Sequence, residues 1–143
     1  MADIFADFPI RASRERVFDA LTTPEGLNAW WTMVCTGQSS PGSEYHLGFG
    51  PAYDWRAVVS ASTPNAEFDL EITHADDDWT GTHVGFSLSA EGGVTTVKFY
   101  HTGWPMANEH WRVSCYCWPI YLRLLRRYVE TGEIVAYEER LSV

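Results

Sequence analysis

The segment from Asn108 to Gly132 constrains the fold more than any other part of the chain. Its large apolar side chains recur at helical spacing and fall within about 40° of one line at 100° per residue. Asn108 is a typical helix N-cap, and Gly132 fits the left-handed residue that closes a helix. Such a helix spans roughly 36 Å and needs a large concave partner. Its apolar stripe consists of Trp111, Cys115, Trp118, Leu122, Leu125 and Val129.

One residue disturbs the regularity of this helix. Pro119 has no backbone N–H to donate to the carbonyl of Cys115, so we expect a kink at this point. The side opposite the stripe is interpreted mainly as a solvated face. It carries Arg112, Tyr116, Arg123 and Arg127.

The partner of the helix is predicted from segments in which apolar and polar residues alternate. Alternation of this kind is typical of half-buried strands. The first such segment, Ile4–Ile10, is followed by two short helices whose N-caps are Ser13 and Thr23. The remaining segments are joined by tight turns, which predicts an antiparallel meander. They are Glu44–Phe49, Asp54–Ala61, Ala66–Thr73, Trp79–Leu88 and Val94–Thr102.

Length and charge limit the class of protein. The chain has 143 residues, which predicts a single domain over residues 1–143. Its formal net charge of −9 argues against nucleic acid and anionic membranes as partners. We find no leader peptide and no apolar run long enough for membrane insertion, so we expect a cytoplasmic protein. The three cysteines are an odd count with no framework spacing, and Cys115 and Cys117 are not expected to pair with each other.

Two stretches resemble a known family. The run from Ser13 to Trp31 reads Ser-x-x-x-Val-Phe-x-Ala-Leu-Thr-Thr-Pro-Glu-x-Leu-x-x-Trp-Trp. The second stretch consists of Thr95–His101, Gly103-Trp104 and Trp118-x-x-x-Leu122-x-x-Leu125, ahead of Glu130-Thr131-Gly132. Both resemble the START-like superfamily, in the branch named for activators of the heat shock protein 90 ATPase. The resemblance implies an α+β helix-grip fold, with about six curved antiparallel strands wrapped around the long helix. It also implies a cavity between the sheet and that helix.

Chaperone activators of this branch carry a separate N-terminal domain that engages the chaperone. We see no room for such a domain in this sequence. We therefore expect the protein not to raise the ATPase rate of a chaperone appreciably, although a chaperone or another protein partner stays open. A homodimer also stays open.

The predicted cavity is walled by aromatic rings, with His101 as its polar group. The alternative for His101 is a partly buried ring satisfied by a backbone carbonyl, and the alternative for the rings is ordinary core packing. The Gly-, Ser- and Pro-rich segment Thr36–Ser43 is expected to be mobile and able to gate the cavity. The predicted cavity residues are Trp30, Trp31, Trp55, Phe68, Phe86, Phe99, His101, Trp104, Cys115, Trp118 and Leu122.

Motifs of catalysis, metal binding and cofactor binding are missing from the sequence. We interpret His74 and the acidic run Asp76–Asp78 as a solvated turn, and we expect no metal and no cofactor. Three functions compete: a carrier or sensor of a small hydrophobic or aromatic ligand, a protein-interaction module, and a cyclase- or hydrolase-type enzyme. We favour the first, and an enzyme would need two or more convergent titratable groups in the cavity. His110, Cys115 and Tyr121 lie on or beside the inward side of the helix and could join His101, and a cysteine and a histidine could form a nucleophile pair.

Overall fold

A computed structural model describes residues 2–143 of the chain. Seven antiparallel strands form one curved sheet in the order β1-β7-β6-β5-β4-β3-β2. The expected helix-grip arrangement is confirmed, since the long C-terminal helix packs on the concave side of the sheet. In chain order the elements are β1 (Ala2–Ile10), α1 (Arg14–Thr22), α2 (Pro24–Trp30), β2 (Val34–Thr36), β3 (Glu44–Gly48), β4 (Asp54–Thr63), β5 (Glu67–His74), β6 (His83–Glu91), β7 (Val94–Trp104), α3 (Glu109–Thr131) and a 3₁₀ segment (Tyr137–Ser142).

The sheet has one strand more than the sequence predicted. β2 covers only Val34–Thr36 and pairs with β3 through Cys35 and Leu47. Three residues are too few to show a period of two, which explains why β2 was missed. Thr36 therefore belongs to a strand, and the following loop begins at Gly37.

Alternation predicts the inner face of the sheet correctly. On β5 the side chains of Phe68, Leu70 and Ile72 are buried, as expected for a strand with one face on the core. On β6 and β7, Phe86 lies directly opposite Phe99. The concave face therefore presents adjacent aromatic rings to the long helix.

The outer face holds one buried acid that alternation places in solvent. Asp69 is 8% exposed. The ring of Tyr100 lies across Gly85 on the strand between them, and its hydroxyl donates to the Asp69 carboxylate. Asp69 also accepts a hydrogen bond from Ser60 and bonds to Nδ1 of His83 at 2.7 Å. A β-bulge between Val59 and Ala61 marks the point where Ser60 meets Asp69.

Helix α3 begins and ends where the sequence predicted. The side chain of Asn108 accepts from the backbone N–H of Trp111 at 2.9 Å, and Gly132 closes the helix with φ 79°. Pro119 lies inside the helix on an exposed face, and the helix continues past it to Thr131. Trp118, Leu122, Leu125 and Val129 are buried as predicted, whereas Trp111 and Cys115 are only half-buried.

The C-terminal segment Tyr137–Ser142 was not predicted. Its anchor is Arg140, which is 3% exposed and has no carboxylate partner within residues 2–143. The guanidinium donates to the carbonyls of Val135 at 3.0 Å, Thr32 at 3.2 Å and Asn28 at 2.6 Å. Because the last carbonyls of a helix lack intrahelical partners, a cation at the end of α2 is well placed. Arg140 thus ties the C-terminus to the second helix.

No helix within residues 2–143 is long and apolar enough to cross a membrane.

Candidate functional site: an aromatic cleft

Aromatic rings fill the space between α3 and the concave face of the sheet. The ring centroid of Trp118 lies 4.6 Å from Phe99 and 5.3 Å from Trp31. Phe99 in turn lies 5.4 Å from Phe86. The rings predicted as walls of the cavity therefore contact one another, and the space between them is occupied by side chains.

His101 is fully buried in this cluster and bonded on both sides. Trp118 donates its indole N–H to Nδ1 of His101 at 3.1 Å, and Nε2 lies 2.9 Å from the hydroxyl of Thr82. That hydroxyl donates to the backbone carbonyl of Trp79 at 2.6 Å. Burial lowers the pKa of His101 to about 3, and the nearby His110 acts in the same direction. His101 is thus a neutral core histidine whose hydrogen-bonding capacity is already used.

Open space lies beside the ring cluster, as a cleft of about 350 Å³. The first half of α3 forms one side of it, and the end of β3, the start of β4 and the turn before β6 form the other. A narrow inner end of about 40 Å³ reaches Trp118. The cleft is lined by Trp31, Phe49, Tyr53, Trp55, Trp79, His110, Val113, Ser114, Cys117, Tyr121, Tyr137 and Leu141.

This cleft differs in chemistry from the larger depression on the surface. A larger one, of about 400 Å³, lies between α1 and the end of α3 and includes Arg16, Asp19 and Glu25 in its walls. Ligand sites are usually apolar hollows with a few polar groups, a description that fits the cleft beside α3 and not the charged depression. We therefore take the ring-lined hollow, hereafter the aromatic cleft, as the candidate site.

Only part of the predicted site borders this cleft. Trp31 and Trp55 line it, and Trp118 forms its inner end. Leu122 faces a separate groove beside β1 together with Pro119. The other predicted residues lie outside the lining of the cleft. These are Trp30, Phe68, Phe86, Phe99, His101, Trp104 and Cys115.

The cleft uses a second line of residues on α3 that the apolar stripe did not reveal. Ser114, Cys117 and Tyr121 follow His110 at helical spacing and line the cleft, one position away from the predicted Cys115 and Trp118. Two of these side chains carry hydroxyls, so the line does not stand out as hydrophobic. The helical spacing from His110 is the signal that could have found it.

Trp79 is the central ring that the sequence reading missed. It lies 4.8 Å from Trp55, 6.2 Å from Trp118 and 4.5 Å from His101, measured between ring centroids. Trp79 was assigned to a strand, but it sits in a turn in which its N–H bonds to the carbonyl of Asp76. Its buried indole N–H has no partner among residues 2–143. A donor of this kind is one that a water or a ligand oxygen commonly satisfies.

The C-terminal segment supplies the outer wall of the cleft. Tyr137 and Leu141 line it, and the Tyr137 hydroxyl donates to the carbonyl of Phe49 at 3.3 Å. The loop that follows Thr36 was expected to gate a cavity, but its residues do not line this cleft. Of these two segments, the C-terminal one borders the cleft and the loop does not.

The acidic turn before β6 is not wholly solvated. Asp76 and Asp77 are exposed as expected, but the Asp78 side chain is only 17% exposed and lies 3.0 Å from Nδ1 of His110. Asn108 also donates to Asp78, at 3.1 Å. Potential metal-ligating atoms of Asp76, Asp78 and His110 lie within 4.8 Å of one another. This turn thus joins β6 to the first turn of α3 through a histidine–carboxylate pair.

The sheet, the long helix and the hollow beside it define a START-like helix-grip domain. The chain belongs to the family described as activator of Hsp90 ATPase homolog 1-like proteins, whose model matches residues 11–130. No curated protein matches the sequence.

Solved structures agree with this assignment. The Aha1 dimer from Colwellia psychrerythraea has 28% identity and a TM-score of 0.84, over 93% of this chain and 99% of that chain. A protein from Bacillus halodurans has 25% identity and a TM-score of 0.73, over 91% and 98%. CalU16 from Micromonospora echinospora has 18% identity and a TM-score of 0.74, over 98% and 84%, and shows likeness of fold alone.

Proposed function

We propose that this protein binds a small, ring-bearing hydrophobic molecule in the aromatic cleft. The observation that carries the proposal is the cleft itself, a hollow of about 350 Å³ walled by Trp31, Trp55 and Trp79. That volume is within the range of roughly 300–1,000 Å³ in which proteins bind small molecules. Rings of this kind favour a planar apolar ligand because they offer stacking faces as well as buried area.

The polar side chains that line the cleft favour a ligand that also carries an oxygen atom. Ser114 is 4% exposed, and its side chain borders both the cleft and its inner end. Tyr121 borders the same two spaces. Burial raises the pKa of Tyr121 to about 12, so its hydroxyl stays protonated and able to donate at neutral pH. A few placed polar groups of this kind fix the orientation of a ligand.

Fluorescence titration with an anilinonaphthalene dye tests binding directly. Cys117→Trp should fill the cleft and abolish dye binding while the fold survives, because the new ring enters existing space. Tyr116→Trp is the matched control, since Tyr116 lies next in sequence but is 70% exposed and outside the cleft. Equal dye affinity in both variants, or no binding by the wild type, would contradict the proposal. Native mass spectrometry of freshly purified protein would then show the mass of any natural ligand.

A second candidate is an interaction module that pairs with a second copy of the chain. Three exposed apolar side chains border the mouth of the cleft: Tyr53 at 47%, Val113 at 51% and Leu141 at 49%. The related Colwellia protein is described as a dimer. Exposed apolar groups that lie together favour association.

Light scattering after size-exclusion chromatography tests the second candidate. A dimer is expected for the wild type and a monomer for Val113→Glu, because a charge in an apolar contact is costly to desolvate. Phe5→Glu serves as the control, since Phe5 is 68% exposed on the outer face of the sheet, away from the cleft. A monomeric wild type, or a Val113→Glu dimer, would remove this candidate.

A further inference from the structure

The histidine at the rim of the aromatic cleft is held in one orientation. His110 lies in the first turn of α3, and its Nδ1 is 3.0 Å from both carboxylate oxygens of Asp78. Its ring stacks on Trp79 with centroids 5.8 Å apart and planes 20° apart. Trp104 meets it edge-on at 5.4 Å. A carboxylate and two indole rings thus fix the position of the imidazole.

The hydrogen bond to Asp78 also decides which nitrogen of His110 is free. An ionised carboxylate can only accept, so in the neutral imidazole the proton is on Nδ1 and the lone pair is on Nε2. Among the hydrogen bonds within residues 2–143, those of His110 are made by Nδ1. The basic nitrogen therefore has no hydrogen-bond partner within residues 2–143, and His110 is one of the residues that line the cleft.

We propose that His110 is a general base that removes a proton from a ring-bearing molecule bound in the aromatic cleft, with Asp78 as its positioning residue. This inference rests on the proposed binding function. Nε2 takes the proton from a C–H or O–H bond of the ligand, and the electron pair of that bond stays on the ligand. The ligand then either remains an anion, or the electron pair forms a new bond within the ligand as an oxygen leaving group departs.

Neighbouring groups suit this step. Ser114 lies one helical turn beyond His110 on the same face, and Tyr121 lies two turns further along it. Both carry hydroxyls that can donate to negative charge as it develops on the ligand. The site therefore brings together a base, the group that orients it and donors for the product.

A nitrobenzisoxazole is a suitable probe because its ring opening needs only a base. The base removes the ring C–H proton, the N–O bond breaks, and the product is a coloured nitrile phenolate. The wild-type protein is expected to open this ring about 100-fold faster than free imidazole at the same concentration, the lower end of general-base effects. His110→Gln should lose at least about tenfold of that rate, because the amide keeps much of the shape but has no basic nitrogen.

Further variants distinguish the effect of removing the base from the effects of changing other residues. His46→Gln should keep the wild-type rate, because His46 also lies beside carboxylates but outside the cleft. Asp78→Asn should lower kcat and leave KM within about twofold, because Asp78 does not line the cleft and its partners are His110 and Asn108, of which only His110 does. Asp78→Glu, which restores the carboxylate, should recover part of the lost kcat.

The results that would overturn the proposal are distinct from those that would overturn binding. A wild-type rate no higher than that of free imidazole, or an unchanged rate in His110→Gln, removes His110 as a base. Loss of the activity on treatment with a chelator also removes it, since a bound metal would then supply the base. Dye binding should be retained in His110→Gln, so a protein that binds the dye but does not open the probe keeps the binding function and loses only the catalytic one.

Discussion

Trp118 on α3 donates its indole N–H to Nδ1 of the fully buried His101 on β7, at 3.1 Å. Because an indole N–H can only donate, Nδ1 must be the acceptor and Nε2 must carry the proton towards Thr82. The bond links helix to sheet in the middle of the ring cluster. It also removes His101 from the list of groups that could meet a ligand, which leaves that role to residues at the cleft.

This buried histidine should make stability depend on pH. Burial lowers the pKa of His101 to about 3, against an ordinary value of 6.5. Between those values the unfolded chain binds a proton at this ring that the folded chain does not, so the stability from this group falls as pH falls. The loss is about 1.4 kcal/mol per pH unit at most. Urea unfolding between about pH 7 and pH 4 measures it.

His101→Gln is the control for that slope. The variant should be less stable at neutral pH, because a packed ring is lost, but its stability should fall less steeply with acid. An identical slope in the two proteins would mean that other groups cause the pH dependence.

Two matched substitutions measure how much the Trp118–His101 hydrogen bond contributes to the free energy of unfolding. Trp118→Phe removes the donor and leaves a buried acceptor unpaired, whereas Trp104→Phe removes an indole N–H that has no partner within residues 2–143. Both variants lose part of a buried ring. We expect Trp118→Phe to cost about 1–3 kcal/mol more than Trp104→Phe. Equal losses in chemical denaturation would show that the hydrogen bond adds nothing net.

The helices and strands could be predicted from the sequence because the spacing of apolar residues differs between a helix and a strand. Asn108 and Gly132 marked the ends of α3, and alternation placed Phe68, Phe86 and Phe99 on the inner face. It could not show how tightly these rings would pack against Trp118, because packing depends on distances between elements that no single segment specifies.

The location of the cleft was harder to predict for a related reason. Ser114, Cys117 and Tyr121 form a mixed line on α3, so a search for apolar residues selects the neighbouring Cys115 and Trp118 instead. Asp78 meets His110 only after the chain has passed through β6 and β7. A local pattern holds no information on such a contact, and for that reason the acidic turn was interpreted as a solvated one.

Gly85 lies on β6 between Asp69 and Tyr100 and should not tolerate a side chain. A Cβ built there would overlap the Tyr100 ring, which crosses Gly85 to reach Asp69. Gly85→Ala should therefore displace the ring and leave the Asp69 carboxylate short of a donor, at a cost of about 1–3 kcal/mol. In a Tyr100→Ala background the same substitution should cost much less. Additive losses across this double-mutant cycle would contradict the proposed clash.

Arg140 should control the outer wall of the aromatic cleft. Its guanidinium donates to the carbonyls of Asn28, Thr32 and Val135, and the segment it anchors carries Tyr137 and Leu141 into the cleft lining. Arg140→Met keeps the apolar stem but loses all three bonds, so the segment Tyr137–Ser142 should detach at a cost of about 1.5–3 kcal/mol. Hydrogen exchange should then rise in this segment while α3 up to Gly132 stays protected.

Arg126→Met, at an exposed arginine of α3 outside the cleft, should change neither exchange nor dye binding. Because the wall is lost, dye affinity should also fall in Arg140→Met, and unchanged affinity alongside increased exchange would show that the C-terminal segment borders the site without contributing to it.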